Sequence, residues 1–426
     1  MEAARALDRG GARAQVLPMQ TARARAAAAP APDTESDSPR DLLARLVGFP
    51  TVSSETNLPL IDWAEGWLAA RGIAATRVPS PCGRKASLYA HVGPEGPGGV
   101  LLSGHTDVVP VEGQHWTSDP FTLTERDGRL HGRGTADMKG FVALALWAMG
   151  EAALRGVARP LQIALTRDEE VGCIGAPQML AHMAESGFPR AAAAIIGEPT
   201  RMACVTAHKG SAQFPIEVRG HEVHSATPHL GVSAIMEAAR VIDWANEVNA
   251  ERAAAPPSEM AALFDPPHTT LHVGQIAGGT AHNITAGRCS FGLGVRAVPG
   301  ETAGEWRTRI LGKLAEVSAP MRAVHPETGF SIGEVVDVPP LAPQPDNPAE
   351  HLVRRLTGDN GTHVVSYGTE AGQFQQAGFA AVVCGPGDIA QAHQADEFIE
   401  LAQMQEGQRF MERLLDDLAR GPAPES

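Results

Sequence analysis

The chain has 426 residues, 43% hydrophobic and 20% charged, the make-up of a soluble globular protein long enough for two or three domains. A formal net charge of −14 argues against nucleic acid and anionic membranes as partners and leaves small molecules or cations as the expected ligands. The five cysteines, Cys82, Cys173, Cys204, Cys289 and Cys384, lie far apart with no CxxC spacing, which fits neither a disulfide framework nor a thiolate zinc site and points to a reducing cytoplasm.

Residues 1–37 are Ala/Arg-rich and broken by Pro, lack the apolar core of a secretory signal, and read as a disordered tail. A transit peptide would be Ser-rich, whereas no Ser precedes Ser36; a start at Met19 is the other alternative. From Ser38 the pattern becomes periodic, with helical spacing over Asp41 to Val47 and Ile61 to Leu68. A buried-strand signal at Gly99 to Leu102 runs into Ser103-Gly104-His105-Thr106-Asp107, and Gly134 to Gly140 leads into a helix from Phe141 to Leu154. Further strands, Leu161 to Leu165, Ala191 to Ile196 and Phe379 to Cys384, each end in polar residues. Strands alternating with helices predict an α/β sheet, and ligands of such sheets bind beyond the carboxyl ends of the strands. Between 203 and 336 the order becomes strand, helix, strand, strand, helix, strand, which predicts an inserted α+β (ferredoxin-like) domain. A discontinuous first domain would then comprise 38–202 and 337–426, with Pro339 to Pro343 as the return linker.

The strand ending at Leu165 runs into Asp168-Glu169-Glu170, three carboxylates that repel one another unless a cation or proton intervenes. A solvated acidic turn is the simpler reading of that cluster alone. Taken with His105, Asp137, Glu198 and His393, however, Glu170 completes a set of two imidazoles and three carboxylates suited to Zn2+, Co2+ or Mn2+. Five ligands exceed one tetrahedral site, whereas two metals sharing one carboxylate use them all. Each residue alone has a structural reading, such as Asp137 as a helix cap, but coincidental placement of all five is improbable.

The motifs Ser103 to Pro110, Gly132 to Gly140, Asp168-Glu169-Glu170, Gly197 to Thr200 and Gln391-Ala392-His393 occur in an order that resembles the dinuclear-zinc aminoacylase and deacetylase family of metallopeptidases. The resemblance implies a zinc-exopeptidase-like mixed sheet with flanking helices, and two divalent metal ions, Zn2+ with Co2+ as the alternative. It implies Asp137 as the shared ligand, His105 and Glu198 on one metal, Glu170 and His393 on the other, and a cis peptide after Asp137. Glu169 would be the general base that deprotonates a water shared by the metals, and Asp107 would hold the second ring nitrogen of His105. Asp168 is left as a structural partner for nearby backbone N–H groups.

In the inserted segment the resemblance implies His224 as an oxyanion donor that in dimeric relatives reaches the partner's site, hence a homodimer through that domain; His221 and His229 are neighbouring alternatives. Asn283 and Arg296 would bind the substrate α-carboxylate. Ser366 to Phe374 and Gly385 to Phe398 resemble the acetylornithine-deacetylase branch more than the desuccinylase branch, which implies an N-acyl-amino acid substrate, N-acetyl-L-ornithine, hydrolysed to ornithine and acetate in arginine biosynthesis. Glu370 either meets the substrate's cationic end or packs in a turn. The alternatives are a succinyl-diaminopimelate desuccinylase, another N-acyl-amino-acid hydrolase or dipeptidase, and, more remotely, a silent binding protein of the same fold.

Overall fold

A computed structural model describes residues 38–420 except Pro97, so the expected tail at 1–37 lies outside the described residues. α1 (Pro39–Val47) begins at Ser38, whose hydroxyl accepts from the Asp41 N–H while the Asp41 carboxylate accepts from the Ser38 N–H. α2 (Leu58–Ala69) follows and buries Leu60, Ile61, Ala64, Trp67 and Leu68. Then come β1 (Ala75–Pro79), β2 (Ala86–Val92), β3 (Val100–His105) and a small pair, β4 (Thr124–Arg126) and β5 (Arg129–His131). α3 (Gly140–Arg155) leads to β6 (Leu161–Thr166), α4 (Gly175–Glu185) to β7 (Ala193–Ile196), and β8 (Val205–His208) follows.

A second sheet is built from β9 (Gly210–Arg219), α5 (Ala234–Ala254), β10 (Thr270–Gly278), β11 (Arg288–Ala297), α6 (Ala303–Val324) and β12 (Gly329–Ile332). Its order is β10-β11-β9-β12, every pair antiparallel, and β13 (Val336–Val338) also pairs with β9. This is the βαββαβ arrangement expected from the pattern. The chain then returns through α7 (Pro348–Thr357), β14 (His363–Val365), α8 (Ala371–Gln376), β15 (Ala381–Val383), β16 (Phe398–Glu400) and α9 (Leu401–Ala419).

The large sheet has the order β1-β2-β6-β3-β7-β15-β8-β14. Its inner strands β6, β3, β7 and β15 run parallel, whereas β2 meets β6 antiparallel, so the sheet is mixed as expected. Every residue of β3, β6 and β7 is buried, as it must be in strands covered by helices on both faces. Alternate side chains serve opposite cores: Leu102, Ile163 and Ile195 pack with α1, α3 and α9, while Leu101, Ala164 and Ile196 pack with α4 and α8.

The expected crossing at residue 203 differs from the sheet membership. Val205–His208 first adds a strand to the large sheet, beside β14 and β15, and the second sheet begins at Gly210. Four residues carry too short a pattern to reveal which sheet they join. Among the described residues, no helix is long and apolar enough to cross a membrane.

Candidate metal centre

Because β6, β3, β7 and β15 are parallel neighbours, the loops after them open at one edge of the sheet. His105 is the last residue of β3, Glu169 and Glu170 follow β6, Glu198 follows β7, and His393 lies in the loop between β15 and β16. Glycine permits two close approaches that gather these loops. A Cβ at Gly175 would lie 2.2 Å from the Arg167 carbonyl, and one at Gly385 would lie 2.1 Å from that of Gly197. Asp137 arrives separately, in the turn before α3, and its peptide bond to Met138 is cis, as expected. That turn is held by Glu397, whose buried carboxylate accepts from the N–H groups of Gly134, Ala136 and Asp137 at 3.0, 3.0 and 3.1 Å and from Arg133 at 2.8 Å.

The structure brings the five expected ligands together in two groups with one shared member. Ligand atoms of His105, Asp137 and Glu198 all lie within 4.8 Å of one another, as do those of Asp137, Glu170 and His393. Asp137 turns one oxygen to each side: Oδ1 is 2.9 Å from His105 Nε2, and Oδ2 is 3.2 Å from His393 Nε2. Glu198 Oε1 stands 3.8 Å from His105 Nε2, and Glu170 Oε2 stands 2.9 Å from His393 Nε2. Imidazoles and carboxylates at these spacings, the first group buried and the second open to solvent at His393, fit borderline-hard divalent cations, and a carboxylate with one oxygen in each group fits two.

The electrostatics show the same demand for positive charge. Burial pushes the Glu170 carboxyl up to about 8, with the Asp137 charge adding to it. Glu169 and Glu198 are also raised, first by burial. Hydrogen bonds to Asp137 and Glu170 draw His393 up to about 10. Burial opposes the protonation of His105, yet its bond to Asp137 and the Glu198 charge raise it well above the ordinary value. Asp137 alone is lowered: burial works against this, but hydrogen bonds from both imidazoles outweigh it. Protons thus gather where a divalent cation would replace them.

Two expected contacts take another form. The second ring nitrogen of His105 is held by the backbone carbonyl of Asp107 at 2.9 Å, not by its carboxylate, whose Oδ1 lies 4.0 Å away. That carboxylate instead accepts from Ser53 Oγ at 2.7 Å and from the N–H groups of Glu169 and Glu170 at 3.1 and 3.3 Å. Asp107 therefore fixes the main chain of the acidic turn as well as one imidazole. Among the described residues the Asp168 carboxylate accepts from no backbone N–H group; it is paired with Lys85 and Arg167. Arg167 directly precedes Asp168, whereas Lys85 lies 83 residues upstream, outside the acidic motif.

Glu370 is buried, accepts from Thr166 Oγ1 at 2.9 Å through one oxygen, and leaves the other unpartnered. Burial pushes it up to about 8, with the Glu169 charge adding. In an unfolded chain it would ionise near 4.5, so its contribution to stability is complete below that pH and is lost as pH rises towards 8. Glu370→Gln is accordingly expected to lose less stability than the parent between pH 6 and pH 9, by about 1 kcal/mol or more. Thermal unfolding at the two pH values measures it, and parallel losses would contradict it.

The residues expected from the second sheet are not joined to this centre by any contact among the described residues. His224 is exposed, and its Nδ1 accepts from the Ala226 N–H at 3.0 Å. Its segment lies against the one carrying Asn283: Ser225 N–H donates to the Asn283 carbonyl at 3.0 Å, and His224 forms an isolated antiparallel bridge with Ile284. His221 stacks on His325 with ring centroids 4.0 Å apart, His229 is exposed, and Arg296 is exposed on β11.

The chain is similar to several known proteins. The chain is 37% identical over 370 residues to an acetylornithine deacetylase of Myxococcus xanthus, covering 86% of this chain and 93% of that one. It is 38% identical over 373 residues to an acetylornithine deacetylase of Erwinia tasmaniensis, covering 85% and 93%. An M20 family metallo-carboxypeptidase from Sulfolobus solfataricus shares the fold, with a TM-score of 0.72 at 16% identity over 89% of this chain and 98% of that one. Residues 101–417, which contain all five clustered ligands, match the model of peptidase family M20/M25/M40. With that match spanning most of its length and close relatives aligned almost end to end, the chain belongs to peptidase family M20/M25/M40.

Proposed function

We propose that the chain is a metal-dependent amide hydrolase that converts N-acetyl-L-ornithine to L-ornithine and acetate, a step of arginine biosynthesis in the cytoplasm. The observation that carries the hydrolytic reading is the single Asp137 carboxylate offering one oxygen to each of two ligand groups, with Glu169 beside them and in neither. The relatives named above support the substrate. His105 and Glu198 would hold one cation and Glu170 and His393 the other, with Asp137 between; the donor set suits Zn2+, and Co2+ can replace it. Divalent cations bound there supply positive charge that polarises an amide carbonyl and acidifies water.

Glu169 takes the proton of the water that attacks the carbonyl and returns it to the amine nitrogen as the C–N bond breaks. Asn283 and Arg296 bind the substrate α-carboxylate, Arg296 through its two-pronged guanidinium. A homodimer through the second sheet would let His224 of the partner subunit donate to the developing oxyanion. Supporting this, β10 is an uncovered edge strand with Ile276 exposed, and Leu230, Ile235, Met236 and Ile284 are exposed in the same lobe.

Turnover of N-acetyl-L-ornithine, N-succinyl-diaminopimelate and N-acetylmethionine, measured side by side with added Zn2+ or Co2+, tests the substrate. N-acetyl-L-ornithine is expected to be fastest, and its being the slowest would refute the assignment. Mixing inactive Glu169→Ala and His224→Ala subunits after dissociation tests the shared site. Random reassociation is expected to restore about a quarter of the sites, whereas no recovery despite mixed dimers would exclude action across subunits.

A further inference from the structure

The carboxylate of Glu169 makes one hydrogen bond among the described residues, and its donor is the thiol of Cys173, with Sγ 3.2 Å from Oε1. The thiol is held in that position. Cys173 is buried, its N–H donates to the main-chain carbonyl of Glu169 at 2.8 Å, and its own carbonyl accepts from Gln373 Nε2 at 3.1 Å. Its φ of +54° places it in the left-handed region, which turns the chain back so that one residue grips both the main chain and the side chain of Glu169. Gln373 lies on α8, far along the sequence, so this grip is anchored to the body of the fold.

We propose that Cys173 is a positioning residue: by donating to Oε1 of Glu169 its S–H fixes the carboxylate's rotation and presents Oε2 as the oxygen that takes and returns the proton. The proposal rests on the reading of Glu169 as the base. A buried cysteine can also serve only as a small apolar filler, and the two roles rank substitutions differently. Filling is kept by Cys173→Val and partly by Cys173→Ala, neither of which donates. Donation is kept by Cys173→Ser, whose hydroxyl is a stronger donor than the thiol.

The test measures kcat, KM, bound metal and thermal stability for metal-loaded wild type, Cys173→Ala, Cys173→Val, Cys173→Ser and Glu169→Ala on the best substrate of the panel above. Cys173→Ala is expected to lower kcat about tenfold with KM and metal content unchanged, and Cys173→Ser to restore it to within about twofold. Should Cys173→Ala fail to fold, Cys173→Val provides the same comparison with the bulk retained. Wild-type kcat in a variant without a donor, or a Cys173→Ser variant as slow as Cys173→Ala, overturns the proposal while an inactive Glu169→Ala leaves the base assignment standing. Full activity in Glu169→Ala overturns both.

Discussion

Glu169→Ala is expected to lower kcat about 10^3-fold while leaving two metal ions bound, because general-base catalysis contributes about 10^2 to 10^4 and Glu169 belongs to neither ligand group. Its neighbour should fail differently. Glu170 shares its group with His393, so Glu170→Ala is expected to lose metal as well as turnover. The two acids are adjacent in sequence and both are raised by burial, yet their surroundings separate them: Glu170 faces an imidazole at 2.9 Å, and Glu169 faces the Cys173 thiol. Metal analysis beside steady-state kinetics on both variants checks this. A Glu169→Ala protein that kept wild-type turnover would exclude Glu169 as the base.

Asp137→Ala should be the most damaging substitution at the centre. It removes the member common to both groups, so bound metal is expected to fall towards zero and activity by more than about 10^3-fold, since a metal's contribution to stabilising charge in the reaction is several kcal/mol. Substitutions confined to one group, His105→Ala or Glu198→Ala on one side and His393→Ala on the other, are expected to cost one metal each. Elemental analysis of the purified variants distinguishes the patterns, and equal metal loss from every ligand variant would contradict a shared Asp137.

The five clustered residues were legible in the sequence because they stand after apolar strands or before a helix, most of them in a short stretch marked by glycine or proline such as Ser103-Gly104-His105 or Gly197-Glu198-Pro199. The alternation of strands and helices likewise foretold an α/β sheet, its mixed character followed from the family resemblance, and the change of order after residue 203 foretold the α+β arrangement of the second sheet. Supporting contacts were hidden because their partners are distant in the chain. Glu397 reaches the Asp137 turn across 260 residues, Gln373 reaches Cys173 across 200, and the Asp107 carboxylate reaches Glu169 across 62. The different tasks of the Asp107 carbonyl and carboxylate could not be read from a spacing of two, since that spacing places both near His105. His224, Asn283 and Arg296 were visible as motifs, but among the described residues no contact joins them to the centre.

The proposed hydrolysis depends on two cations that Asp137 would share between the two ligand groups. Stepwise addition of Zn2+ or Co2+ to chelator-treated protein, with ornithine release from N-acetyl-L-ornithine followed at each step, tests it most directly. Negligible turnover is expected without metal, with a rise that saturates at about two equivalents per chain. Full turnover in protein shown by elemental analysis to be metal-free would contradict it.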